Sequence, residues 1–250
     1  METRYTILPC KYHSESTSCV KTDLSTKITS RRITSSSDAT LAPDSVWLSV
    51  PFGKLTFAAE GQENSSRYFS RVIHYPGGSA SGVTIGRGYD MGNRTQTQVR
   101  RDLMASGLSE MHASQIARGA GLRGAEAGRF VREHKDFIPP IPLAAQHDLF
   151  TKITAPSYIS DIRRIFNKPD VVEKYGRADW DTLPRGIQEL VFDLRYRGDY
   201  TPETRKLLQA SIVSGDSASF YELIRNEDYW LSRGVPASRV AARIAATFSA

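Results

Sequence analysis

The chain has 250 residues, of which 40% are hydrophobic and 24% charged, with a formal net charge of +6, enough apolar material for a packed core. No apolar run approaches the roughly 18 residues a membrane-spanning helix requires, so no transmembrane segment is expected, and METRYTILPC lacks the basic-then-apolar order of a signal peptide, which predicts a product made in the cytoplasm. Cys10 and Cys19 permit one local bridge and exclude a disulfide framework, while the positive charge suits polyanionic surroundings (nucleic acid, an anionic membrane surface or acidic cell-wall polymers) without choosing among them.

Residues 11–40 hold fourteen Ser or Thr and few large apolar side chains, too little to offset chain entropy by burial. Residues 1–45 therefore read as a Ser/Thr-rich leader or adaptor, and 46–250 as the packed domain. Ser49 before Pro51 resembles a helix start, and Phe52, Leu55 and Ala59 recur at helical spacing before Gly61, predicting a short helix that ends at Glu60. RYFSRVIHYP and SGVTIGRGYD are rich in β-branched and aromatic residues and bounded by glycine and proline, as strands joined by turns would be.

After Asn93 the pattern is helical, with breaks at Gly107, Gly121, Pro139 to Pro142, Pro169, Gly198 and Gly215. Ile187, Leu190, Val191 and Leu194 form an amphipathic stripe, with Asp193 and Arg197 expected to pair on its outer side. Phe220, Leu223 and Ile224, then Val240, Ile244 and Phe248, repeat the theme. A small β region at the front followed by a mostly helical body is an α+β arrangement with a cleft expected between the parts.

The chemistry concentrates in SGVTIGRGYDMG, residues 81–92. On one extended strand Thr84 and Asp90 would stand roughly 20 Å apart. If Gly86-Arg87-Gly88 is a three-residue hairpin loop, Thr84 pairs with Asp90 and Ile85 with Tyr89, and the glycines supply the positive φ the loop needs. A hydroxyl beside a carboxylate is able to hold and polarise one water, with Asp90 as general base.

A base needs an acid, and Glu60 and Glu63 lie upstream. Glu60, at its helix end, meets the negative end of the macrodipole, which works against the carboxylate by about 0.3–1 kcal/mol. An apolar setting beside Phe57 or Tyr68 is then expected to supply the rest. Acid and base across a cleft with room for water, the carboxyl groups about 6.5–9.5 Å apart, is the plan of an inverting glycosidase, whereas a closer spacing of about 5–5.5 Å would indicate a retaining one.

The stretch AAEGQENSSRYFSRVIHYPGGSASGVTIGRGYDMGNR, with LAAQHDLF at 143–150 and VFDLRYRGDYT at 191–201, resembles the toxin branch of phage-type lysozymes, the pesticin-like muramidases. The resemblance runs from about residue 50 to the C-terminus. It implies a lysozyme-like fold and hydrolysis of the β-1,4 bond between N-acetylmuramic acid and N-acetylglucosamine in peptidoglycan, with Glu60 as acid and Thr84 and Asp90 positioning and activating water. It further implies a toxin acting in a competitor's periplasm after secretion, for example by type VI injection, an immunity protein that plugs the cleft, and a secretion-machine partner for which residues 1–45 are the candidate docking segment. A phage-style endolysin is the alternative route.

Tyr68, Arg87, Tyr89 and Arg195 are candidate substrate contacts, each with a structural reading beside it: Arg87 as an ordinary loop arginine, Tyr89 as a packing residue, and Arg195 as a cation at a helix C-terminus. His74 reads as a strand residue with a satisfied hydrogen bond rather than a catalyst. The five histidines show no paired metal-ligand spacing, GSASG lacks the central serine of a nucleophile elbow, and the glycines miss the dinucleotide spacing, so no metal or cofactor is expected. The rival reading is a basic binder of glycan or nucleic acid, but no nucleic-acid module with interleaved aromatics is present. A monomer is expected, since a glycan strand needs access.

Overall fold

The computed structural model describes residues 44–63 and 69–248. The expected leader, both cysteines and Tyr68 thus lie outside the described residues, apart from the leader's last two positions. One compact unit spans Ala42–Ala250, and it is α+β: mostly helical, with one two-stranded antiparallel sheet.

A 3₁₀ turn at Asp44–Leu48 leads into α1 (Lys54–Ala59), followed by β1 (Thr84–Ile85) and β2 (Tyr89–Asp90). Three helices come next, α2 (Gln96–Ala105), α3 (Glu110–Ala117) and α4 (Gly124–His134). Then α5 (Leu143–Asp148) passes through a π-helical stretch, Leu149–Thr154, directly into α6 (Ala155–Phe166). The body closes with α7 (Pro169–Tyr175), α8 (Arg185–Arg197), α9 (Pro202–Ser214), α10 (Ser217–Arg225), α11 (Glu227–Ser232) and α12 (Ala237–Ala246). The helix breaks fall where glycine and proline dictate: Gly198 and Gly215 cap α8 and α9 with positive φ, and Pro169 opens α7.

Apolar side chains gather in two cores. One joins the sheet to α2, α3 and α4 through Val83, Ile85, Met91, Leu103, Ile116 and Ala127. The other fills the helical body, where Ile187, Leu190, Val191 and Leu194 of α8 meet Phe150, Phe166, Phe220 and Trp230. The continuous helix from Leu143 to Phe166 links them: Ala145 and Leu149 belong to the first core, Phe150, Ala155 and Ile162 to the second. Its π-helical stretch lies at that crossover, where Thr154 donates its hydroxyl to the Leu149 carbonyl at 3.0 Å.

Two local expectations need correction. α1 begins at Lys54 rather than near Ser49, because Gly53 adopts a left-handed φ of 73° and Glu189 of α8 accepts the amides of Gly53 and Lys54 at 2.9 and 3.2 Å. Asp193 is not on the outer side of α8 paired with Arg197. It is fully buried between Arg239 and Arg243 of α12, and Arg197 pairs with Asp199 instead.

Candidate functional site

The hairpin forms in the expected register, Thr84 opposite Asp90 and Ile85 opposite Tyr89. Gly86 and Gly88 turn the loop with φ of 62° and 82°. The Met91 amide donates to the Val83 carbonyl at 2.9 Å, which makes Thr84 and Asp90 the close, non-hydrogen-bonded type of pair, with Cα atoms about 4.5 Å apart. Alternation then sorts the two faces. Val83, Ile85, Tyr89 and Met91 point into the core, whereas Gly82, Thr84, Asp90 and Gly92 share the opposite face.

Glycine on that face is a steric requirement. A Cβ on Gly82 would lie 2.4 Å from Asp90 Oδ1 and 2.4 Å from the Gly92 nitrogen. Gly82 instead donates its amide to Asp90 Oδ2 at 3.1 Å, and Gly92 donates to Oδ1 at 2.6 Å. Each oxygen of the carboxylate is thus held by one backbone amide and keeps a lone-pair direction free, and Asp90 is exposed. Thr84 is 5% exposed, its hydroxyl 3.3 Å from the Gly82 carbonyl.

Glu60 is the C-cap of α1, and three polar contacts fix that short helix on α8 and α12. Glu189 holds its first amides, Thr56 donates to Asp193 Oδ1 at 2.9 Å, and Arg239 Nη1 donates to Glu60 Oε1 at 2.5 Å. The same guanidinium donates from Nη2 to Asp193 Oδ1 at 2.6 Å. The setting of Glu60 is therefore an ion pair rather than the apolar pocket expected beside Phe57, whose ring is instead covered by Arg87 at 3.8 Å.

Glu60 and Asp90 share an electrostatic neighbourhood. Burial raises the Tyr158 phenol above its ordinary value, and the charges of both Glu60 and Asp90 raise it further, against Arg195 and Arg94. Tyr158 of α6 stacks on Tyr196 of α8, ring centroids 4.4 Å apart. Tyr196 in turn donates to the Arg87 carbonyl and packs against Gly88, so the loop is seated on α8. This tyrosine pair escaped the sequence reading. Tyr196 lies within the quoted VFDLRYRGDYT segment, but its stacking partner is in α6, remote in the chain.

The structure corrects two expected substrate contacts. Arg87 is 6% exposed. It is packed against Gly61 and Phe57, donating to the Phe57 carbonyl and to Glu63 Oε1, the latter at 2.8 Å. Tyr89 is 1% exposed and donates to Asp102 Oδ2 at 2.8 Å; burial pushes its phenol well above the ordinary range. Arg195 is partly exposed and ion-paired with Asp161 at 2.5 Å. Burial alone would raise the Asp161 carboxyl, but hydrogen bonds from Arg164 and Arg195 hold it below its ordinary value. Glu63 is taken up by Arg87, Arg71 and Gln146, which leaves Glu60 as the upstream carboxylate with fewer partners.

A cavity of about 630 Å³ opens elsewhere, between Pro51, Lys54 and Leu55 and residues of α8 and α10. Its one carboxylate, Glu189, is already bound by two amides and Arg185. Among the described residues no group of three or more His, Cys, Asp and Glu is placed to hold a metal, and no helix is long and apolar enough to cross a membrane.

A family model described as Domain of unknown function (DUF8812) matches residues 53–244, from the start of α1 into α12. No curated protein matches the chain.

Proposed function

The chain belongs to the DUF8812 family, whose description states no activity; from the acid–base chemistry of its sheet face we propose that it is a glycoside hydrolase, and the resemblance to phage-type lysozymes makes it, in this proposal, a muramidase of lysozyme-like fold that cleaves the β-1,4 bond after N-acetylmuramic acid in peptidoglycan. The observation that carries this reading is the cross-strand pair Thr84–Asp90, whose carboxylate Gly82 and Gly92 allow to sit against their own amides. Asp90, anchored by two amides, takes a proton from a water held with the Thr84 hydroxyl. Glu60 gives a proton to the departing glycosidic oxygen. That role requires Glu60 to part from Arg239 as the saccharide enters, since the Glu60 Oε1 held by the guanidinium has to turn to the glycosidic oxygen. Asp193 is the acceptor that retains Arg239 meanwhile.

The resemblance extends the proposal to an antibacterial toxin acting on a competitor's cell wall. The basic net charge suits an anionic wall polymer. The test is digestion of purified peptidoglycan with analysis of the new ends. A reducing muramic acid end is expected; free peptide amines, or intact glycan, would refute the reading.

Gly82 supplies an independent check. Gly82→Ala places a methyl where Asp90 and Gly92 stand. It should cost about 1–3 kcal/mol in thermal unfolding and, by displacing the base, up to about 100-fold in muropeptide release.

A further inference from the structure

His74 extends the Thr84–Asp90 pair into a row of three. The His74 amide donates to the Thr84 carbonyl at 2.8 Å and the Thr84 amide to the His74 carbonyl at 2.8 Å, an antiparallel bridge. Directly opposed residues project to the same face, so His74, Thr84 and Asp90 stand side by side on the face opposite the core, running from buried Thr84 and half-buried His74 to exposed Asp90. Glu60, at the end of α1, is near enough for its charge to act on the imidazole.

The tautomer follows from the neighbours. Nδ1 lies 3.1 Å from the Val72 carbonyl, which only accepts, so Nδ1 carries the hydrogen. Burial lowers the ring's pKa below its ordinary value, outweighing the Val72 bond and the Glu60 charge that raise it. The imidazole is therefore neutral near pH 7, and Nε2 presents a lone pair. Among the described residues Nε2 has no hydrogen-bond partner.

Resting on the glycosidase reading, we propose that His74 is a substrate-binding residue, its Nε2 accepting a hydrogen bond from a sugar hydroxyl of the saccharide held between Glu60 and the Thr84–Asp90 pair. The charged groups around the row leave this role to His74. Asp90 on β2 is held by two amides, Arg94 is turned to the Asp90 carbonyl and the Tyr89 ring, and Arg239 of α12 is tied to Glu60 and Asp193. Thr84 is held through the backbone of His74 and keeps its place when the side chain changes.

The test compares His74→Phe, which fills the space without an acceptor, with His74→Gln, which keeps one. Loss of one such hydrogen bond corresponds to about tenfold. His74→Phe should raise KM about tenfold with a smaller change in kcat, and His74→Gln should recover most of the loss. Protonation of Nε2 removes the acceptor, so wild-type kcat/KM should fall as pH drops through the lowered His74 titration, and that limb should vanish in His74→Phe. A nitrogen-15 spectrum of wild-type His74 should show Nε2 shift on addition of a peptidoglycan tetrasaccharide. An active wild type whose Nε2 does not respond, or a folded His74→Phe with unchanged KM and pH profile, overturns this inference alone. A wild type inactive on peptidoglycan overturns the glycosidase reading with it.

Discussion

Glu60→Gln is expected to lower muropeptide release by about 10²–10⁴-fold while leaving the unfolding midpoint nearly unchanged. The amide keeps the shape of the side chain and still accepts from Arg239, whose other amine remains on Asp193. What it lacks is a proton to give, and positioned proton transfer contributes a factor of that size. Glu63→Gln is the contrast. Glu63 binds Arg71, Arg87 and Gln146, so its loss should loosen the packing of Arg87 on Phe57 and cost less than about tenfold in rate, the scale of one hydrogen bond. If Glu63→Gln removes activity and Glu60→Gln retains it, the acid has been assigned to the wrong carboxylate.

The second large effect is on stability. Asp193→Ala should destabilise the domain by about 3–5 kcal/mol, the usual penalty for stranding the partner of a buried charge. Arg243 is fully buried and donates from Nε to Asp193 at 2.7 Å and from Nη2 to Asp199 at 2.6 Å. Without Asp193 it keeps only Asp199, Arg239 keeps only Glu60, and the Thr56 hydroxyl loses its acceptor. For a domain near 200 residues, 1 kcal/mol moves the midpoint by about 2–4 °C, so a fall of roughly 6–20 °C is expected by calorimetry. Asp161→Ala removes two partly exposed ion pairs, with Arg164 and Arg195, and should cost under about 1 kcal/mol for each. Equal midpoint shifts for the two variants would contradict the role given to the buried network.

The contrast between these aspartates shows where sequence reading reached and where it stopped. The Thr84–Asp90 hairpin was legible because two glycines with one residue between them constrain a loop by chain geometry alone. The α8 stripe was legible because burial repeats with the helical period. Asp193 was assigned to the outer side because carboxylates are seldom buried unpaired. Its partners, Arg239 and Arg243, lie 46 and 50 positions away, beyond any local pattern. Two arginines four apart beside the apolar Val240 were the available hint.

Arg87 and Tyr89 misled for a related reason. A loop arginine flanked by glycines reads as exposed, yet Gly61 leaves a gap that the guanidinium fills, and Glu63 lies 24 residues upstream. Tyr89 takes the face opposite Asp90, as strand alternation requires, and its hydroxyl finds Asp102 inside the core. The environment of Glu60 was out of reach altogether, because Arg239 is 179 residues away.

In the proposed mechanism, water held by Thr84 and Asp90 attacks the anomeric carbon from the side opposite Glu60. The configuration of the first product, followed by proton NMR during wild-type hydrolysis of a peptidoglycan oligosaccharide, tests this step. Attack by that water inverts the anomeric centre, so the α-anomer should appear first and mutarotate later. Initial release of the β-anomer would mean retention, which requires a covalent intermediate or another nucleophile, and would contradict the role assigned to Asp90.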